Sequence, residues 1–173
     1  MITLTAIRST DQPLLTGLCQ LLSDAVHGGA SLGFLAPLSP EDARQYWEHV
    51  YLSLDDGLYL WVAKEQDKVV GSVQLSICTK QNGSHRAEIQ KLFVLSEHRG
   101  QGVSSLLMKA AESFAHQLGR SLLVLDTEAG SLAETIYRHL GWQRVGEIPD
   151  YAASPDGTLR PTVYYYKFST AHD

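Results

Sequence analysis

The stretch that most limits how this chain can fold is residues 87–126. AEIQKLFVL (87–95) is a β-rich run, the polar segment SEHRGQGVSS follows, and Leu106/Leu107, Ala110/Ala111, Phe114 and Leu118 then recur on one helix face. After Gly119, SLLVLD (121–126) is again continuously apolar. Strand, helix, strand in this order predicts a parallel pair joined by a right-handed crossover, because a right-twisted strand packs its helix back onto the sheet with that hand. Gly119 is placed to end the helix, and the unbroken apolar run after it suits a strand covered on both faces.

The flanking segments supply the rest of a sheet. ITLTAIR (2–8) alternates as a strand, and apolar residues from Pro13 to Val26 keep helical spacing, with Asp11 as the expected cap. HGGASLGFLAPL (27–38) breaks that period, and Ser39-Pro40-Glu41-Asp42 opens a second helix to about Leu54. LYLWVAKE (58–65) and KVVGSVQLSIC (68–78) read as an antiparallel hairpin turning at Gln66-Asp67. Ser131 and Glu134 have the spacing of a capping box for a last helix ending at Gly141. WQRVGEIP (142–149) and TVYYYKF (162–168) give two final strands, with a loop from Asp150 to Pro161 between them. The expectation is one α/β domain over residues 1–173, a mixed sheet of about seven strands with helices on both faces.

Composition narrows the function. With 44% hydrophobic and 19% charged residues the chain is an ordinary globular one, and its net charge of −5 disfavours nucleic acid or an anionic membrane as the main partner. A local basic site for a phosphorylated small molecule stays open. Cys19 and Cys78 lie far apart without metal-ligand spacing and read as two buried thiols in a reducing compartment. The seven histidines show no HExxH pairing, so no metal is expected. MITLTAIRSTD lacks a leader pattern and no apolar run is long enough to span a bilayer, so the expected location is the cytoplasm.

HRGQGVSS sits where the carboxyl end of a parallel strand meets the amino end of a helix. There the first helical N–H groups have no intrahelical partner and the helix dipole is positive, which favours an anion. Gly100 and Gly102 permit unusual backbone angles and close approach, Ser104 and Ser105 can add hydroxyl donors, and Arg99 adds charge. The segment is neither GxxxxGK[ST] nor GxGxxG with an acid some 20 residues on, which disfavours a nucleoside triphosphatase or a dinucleotide oxidoreductase. By itself the loop is equally a tight turn before a capped helix.

Its context decides. Glu97-His98-Arg99-Gly100-Gln101-Gly102-Val103-Ser104 between a strand and an amphipathic helix resembles the acetyl-CoA-binding core of the GNAT N-acetyltransferases. Glu97 stands where that family usually has Gln or Arg, and Ser104 where Gly or Ala is usual. Ala133-Glu134-Thr135-Ile136-Tyr137-Arg138-His139-Leu140-Gly141-Trp142 resembles the family's later tyrosine motif, in the right order and separation. HGGASLGF, RAEIQKLFVL, LDTEAGS, VGEIPDYA and PDGTLRPT further resemble the tabtoxin-resistance branch, which acetylates a small β-lactam-containing amino acid.

The resemblance implies a mainly antiparallel GNAT sheet around the parallel unit, with acetyl-CoA as acetyl donor. The main chains of Leu92, Phe93 and Val94 would bind the pantetheine arm, and Arg99, Gly100, Gln101, Gly102, Val103, Ser104 and Ser105 the pyrophosphate. Tyr137 would protonate the leaving thiolate. An aliphatic amine is almost wholly protonated at neutral pH, so a carboxylate base is needed. Asp126, at the end of a parallel strand, ranks first and Glu88 second, each with the alternative of a plain salt bridge or cap. His27 is a candidate wall of the acceptor pocket or a helix-end residue, and Glu128 a candidate to orient substrate or cap the last helix. The expected partner is a small amine, toxin-like or antibiotic-like, with a peptide, protein or polyamine amine as alternatives; from another class comes a non-catalytic acyl-CoA sensor. Monomer and homodimer stay open.

Overall fold

The computed structural model describes residues 1–169, so the last four residues of the expected domain lie outside the described part. The elements follow in the order β1 (Ile2–Ile7), α1 (Leu15–His27), α2 (Pro40–Ser53), β2 (Leu58–Glu65), β3 (Lys68–Ile77), β4 (Arg86–Val94), α3 (Val103–Gln117), β5 (Leu122–Glu128), α4 (Leu132–His139), β6 (Gln143–Ala153) and β7 (Leu159–Phe168). All seven strands form one sheet in the order β1-β2-β3-β4-β5-β7-β6. Every neighbouring pair is antiparallel except β4 and β5, the parallel pair expected from residues 87–126.

Two local details of that sheet place the site. First, β4 and β5 pair over Arg86, Ala87 and Glu88 against Leu122, Leu123 and Val124, and beyond Glu88 they part. Second, Gln90 opposes Gln74 while Phe93 opposes Ser72, so Lys91 and Leu92 together face Val73 in a bulge, and Lys91 takes a positive φ of 55°. A bulge bends its strand and increases local twist. Here it keeps Glu88, Gln90 and Phe93 on one face of β4 and turns the strand away from β5.

The helices cover both faces. On one, Tyr46 of α2 reaches Gln74 and Trp47 packs edge-on against Phe93, with ring centroids 6.1 Å apart. On the other, α3 packs on β3 at Gly71, where a Cβ would meet the Phe93 carbonyl oxygen at 2.9 Å and Leu107 and Val103 of α3 at 3.0 Å. The buried side chains form one contiguous core, with Trp47, Phe93, Leu107 and Leu123 almost fully enclosed and both Trp61 and Trp142 inside it.

Several details differ from expectation. Helix α1 begins at Leu15 without a side-chain cap, because the Asp11 carboxylate accepts from the Arg8 N–H instead. Ser39 does cap α2, accepting from the Asp42 N–H. The box at Ser131 does not form: the Ser131 side chain caps nothing and its N–H goes to the Glu128 carbonyl, while Glu134 reaches past it to the Gly130 N–H at 2.6 Å and takes the Tyr165 hydroxyl at 2.5 Å. Most of the loop expected at 150–161 is strand, since β6 and β7 extend into a long hairpin closed by residues 154–158. Both cysteines are free and only partly buried.

Candidate active site

A cavity of about 790 Å³ fills the gap between the parting strands. Its floor is β4 from Glu88 to Val94, whose edge facing β5 makes no ladder bonds past Glu88. One wall is the turn after α1 (Gly28–Gly33), the other the end of β5 with α4, and Arg99, Gly100 and Ser104 stand at one mouth. Unpaired strand edges offer main-chain N–H and C=O groups to an extended ligand.

At that mouth α3 starts without any side-chain cap, with Gly102 as N-cap at φ 81°. The first helical bond is from the Leu106 N–H to the Gly102 carbonyl, which leaves the Val103, Ser104 and Ser105 amides without intrahelical partners. Gly100 is also left-handed, and the place of a Cβ at either glycine is empty within 4 Å. Open space, converging amides and the positive helix end fit a pyrophosphate. Not every expected side chain takes part. Gln101 turns back to the Glu97 carbonyl, Val103 is buried in the core, and neither Ser105 nor Gly102 lines the cavity, so those positions can contribute through main chain alone. Glu97, outside the cavity, pairs with Lys68.

Deeper in, Glu88, Asp126 and Tyr137 face the same space. Tyr137 is buried and makes no hydrogen bond through its hydroxyl among the described residues; burial, helped by the Asp126 charge, raises its pKa so that it holds its proton. Burial also raises the Glu88 pKa, the Asp126 charge adding to it and Lys91 opposing it. Asp126 instead accepts a 2.7 Å bond from the Thr162 hydroxyl. Lys91 donates to the Leu32 carbonyl at 2.8 Å and so ties the turn after α1 to the bulge; burial lowers its pKa against the pull of Asp126 and Glu88. Glu128 lines the cavity, accepting from the Ser154 hydroxyl at 3.1 Å with Arg160 at 3.7 Å.

His27 is placed differently from a pocket wall. Its Nδ1–H donates to the Ser23 carbonyl at 2.8 Å while Nε2 accepts from the Leu38 N–H at 3.3 Å, so the ring ties the end of α1 to the far end of the following loop and lies off the cavity. Asp24 does similar work, accepting from the backbone and hydroxyl of Ser96. From the sequence, Lys91 stands out only as a polar residue that, with Gln90, interrupts the central strand and hints at a lined cleft, and Thr162 and Arg160 have no assigned role. The polar Thr162 beside an apolar strand was a visible signal; the bulge at Lys91 left none.

Comparison with known proteins bears on this geometry. Residues 25–142 match the sequence model of the Acetyltransferase (GNAT) family. The chain belongs to that family. The match spans the turn after α1, the parting strands, the glycine loop and Tyr137. N-acetyltransferase 8B of Rattus norvegicus is 35% identical over 99 residues, covering 56% of this chain and 44% of its own length. N-acetylaspartate synthetase of Danio rerio is 30% identical over 157 residues, covering 79% of this chain and 53% of its own. The chain thus spans about half, or less, of the length of these curated relatives. Among solved structures, an N-acetyltransferase from Staphylococcus aureus Mu50 superposes with a TM-score of 0.80 at 15% identity, covering 98% of this chain and 99% of that one. A putative acetyltransferase from Salmonella typhimurium, solved with its cofactor acetyl-CoA, gives 0.78 at 16% identity over 100% and 96%. At such identities these structures establish the fold alone.

GNAT enzymes use acetyl-CoA as acetyl donor. The free edge of β4 and the uncapped start of α3 have the donors and the space that its pantetheine arm and pyrophosphate need. No helix among the described residues is long and apolar enough to cross a membrane.

Proposed function

We infer that this chain is an acetyl-CoA-dependent N-acetyltransferase acting on the primary amine of a small molecule. The observation that carries the reading is the parting of β4 and β5 after Glu88, which leaves a main-chain edge, two carboxylates and the Tyr137 hydroxyl around one cavity that ends at an uncapped helix. When bound there, acetyl-CoA supplies an activated acetyl thioester. The amides of Leu92 to Val94 hold its arm and polarise the carbonyl, and those of Val103 to Ser105, with Gly100, Ser104 and Arg99, hold the phosphates.

Glu88 is the better base. Its pKa is raised, it has no hydrogen-bond partner among the described residues, and it opens onto the cavity, whereas Asp126 is engaged by Thr162. Asp126 then keeps the site negative, which draws in an ammonium acceptor and sustains the Glu88 pKa. Glu88 takes the proton from the acceptor nitrogen, and the Tyr137 hydroxyl gives one to the departing sulfur. Arg160 and Glu128, which line the same cavity, orient the acceptor in this reading.

The resemblance to tabtoxin-resistance enzymes supports a β-lactam-containing amino acid as acceptor. The likeness to the N-acetylaspartate synthetase of Danio rerio also supports an amino acid. The test is a calorimetric titration with acetyl-CoA, followed by thiol release across an amine panel that includes β-lactam amino acids. Binding with turnover on an amine supports the reading. Binding without turnover on any amine would favour a sensor, and absence of binding would reduce the glycine loop to a turn.

A further inference from the structure

A second cavity of about 660 Å³ lies between α2 and the β2–β4 part of the sheet and meets the first at Gly33, Gln90 and Lys91. Its floor is unusual for the centre of a sheet. Gln74 of β3 and Gln90 of β4 stand side by side in it, a polar row beneath α2, with Ser72, Ser76 and Glu88 flanking them on the strands but outside this cavity. Gln74 is only 1% exposed, and its amide is held by Gln90 and Tyr46. Burying such groups costs stability unless they bind something.

The hydrogen bonds along this row run in one direction. Gln90 Nε2 donates to Gln74 Oε1 at 3.3 Å, and Gln74 Nε2 donates to the Tyr46 hydroxyl at 3.0 Å. Among the described residues, Gln90 Oε1 is left with no donor and the Tyr46 O–H with no acceptor. One free acceptor and one free donor at the same cavity wall match an amide, which carries both. The charges argue against a carboxylate. Lys91 is already spent on the Leu32 carbonyl and lies beside Glu88 and Asp126, and on the opposite wall Asp42 offers a negative charge while His49 is exposed.

Resting on the acetyltransferase reading, we propose that this second cavity receives the tail of the acceptor and selects amines whose tail ends in a neutral amide. Glu88 and Gln90 are two residues apart on one face of β4, about 7 Å, so the amide sits that far from the reacting nitrogen. An unbranched five-carbon chain spans this distance.

The test compares 5-aminopentanamide, 5-aminopentanoate and pentylamine as acceptors, with acetyl-CoA binding followed by calorimetry. The expected kcat/KM for the amide exceeds that for pentylamine by about tenfold or more, two neutral hydrogen bonds' worth, and the carboxylate is poorest. In Tyr46→Phe, which keeps the ring packed on Phe34 and Trp47, and in Gln90→Leu, the amide-to-pentylamine ratio falls towards one. Equal kcat/KM for the three acceptors, preference for the carboxylate, or a variant that lowers all three rates alike would overturn the tail pocket while leaving the acetyltransferase reading intact. Acetyl-CoA binding with none of the three acetylated overturns the tail pocket too. Absence of acetyl-CoA binding would overturn both readings together.

Discussion

Tyr137, Glu88 and Asp126 differ chemically because their surroundings differ. Burial keeps Tyr137 protonated at any physiological pH, which suits an acid and not a base. Tyr137→Phe removes only the hydroxyl, so kcat should fall by roughly 10²-fold while acetyl-CoA still binds, as stopped thiol release and calorimetry would show. A kcat within twofold of the parent protein would strip Tyr137 of its role as acid. The carboxylates can be separated by pH. Asp126 raises the Glu88 pKa, so Asp126→Asn lowers it, and the acidic limb of kcat/KM should move to lower pH. Glu88→Gln should instead abolish that limb and lower kcat/KM by roughly 10²-fold at neutral pH. If the limb survives in Glu88→Gln and disappears in Asp126→Asn, the two roles are exchanged.

At the scale of elements, the amino end of α3 carries the phosphate-binding argument and a matched control isolates it. Gly102 and Gly119 flank the same helix, both with positive φ (81° and 73°) and both with empty space where a Cβ would go. Alanine at either should cost about 1–2 kcal/mol of stability through backbone strain alone. Only Gly102→Ala should also lose acetyl-CoA affinity, because it alters the turn that aims the Val103–Ser105 amides. Equal affinity in the two variants would mean that the glycines serve the helix and not a ligand. The same elements mark what can be read from a sequence. Periodicity and glycine placement locate α3 and β5 because those signals are local. The bulge at Lys91 is set by how β4 pairs with β3 and is written in no dipeptide. Likewise, the turn-like Pro149 and Asp150 form an irregularity inside β6, with Asp150 at a positive φ of 50°, because pairing with β7 resumes beyond them, and Glu134 serves Gly130 and Tyr165 because the folded chain brings Tyr165 to it. Tyr137 and the glycine loop were legible as motifs; the polar row of Gln74, Gln90 and Tyr46 becomes a pocket only when α2 lies over it.

For the molecule as a whole, the parting of β4 from β5 divides one sheet into a four-stranded part and a three-stranded part. These are bonded to one another along just Arg86–Glu88 and Leu122–Val124. Past that short seam the two facing edges have no ladder partner, and each strand is held only by its other neighbour, β4 by β3 and β5 by β7, and by the helices. A ligand laid along the free edge of β4 and held at α3 completes the missing pairing. It also touches β5 and α4 through the cavity wall, so it ties both parts together. Acetyl-CoA at about one hundred times its Kd should therefore raise the melting temperature by roughly 5–10 °C, the value expected from mass action for a chain of this size. Hydrogen exchange distinguishes how that stabilisation arises. Protection at Leu92–Val94 together with Val103–Ser105 means that the arm pairs with the strand edge and the phosphates with the helix. Protection confined to Val103–Ser105 means that the helix end holds the ligand alone, and that the opening between the strands serves the acceptor rather than the acetyl donor.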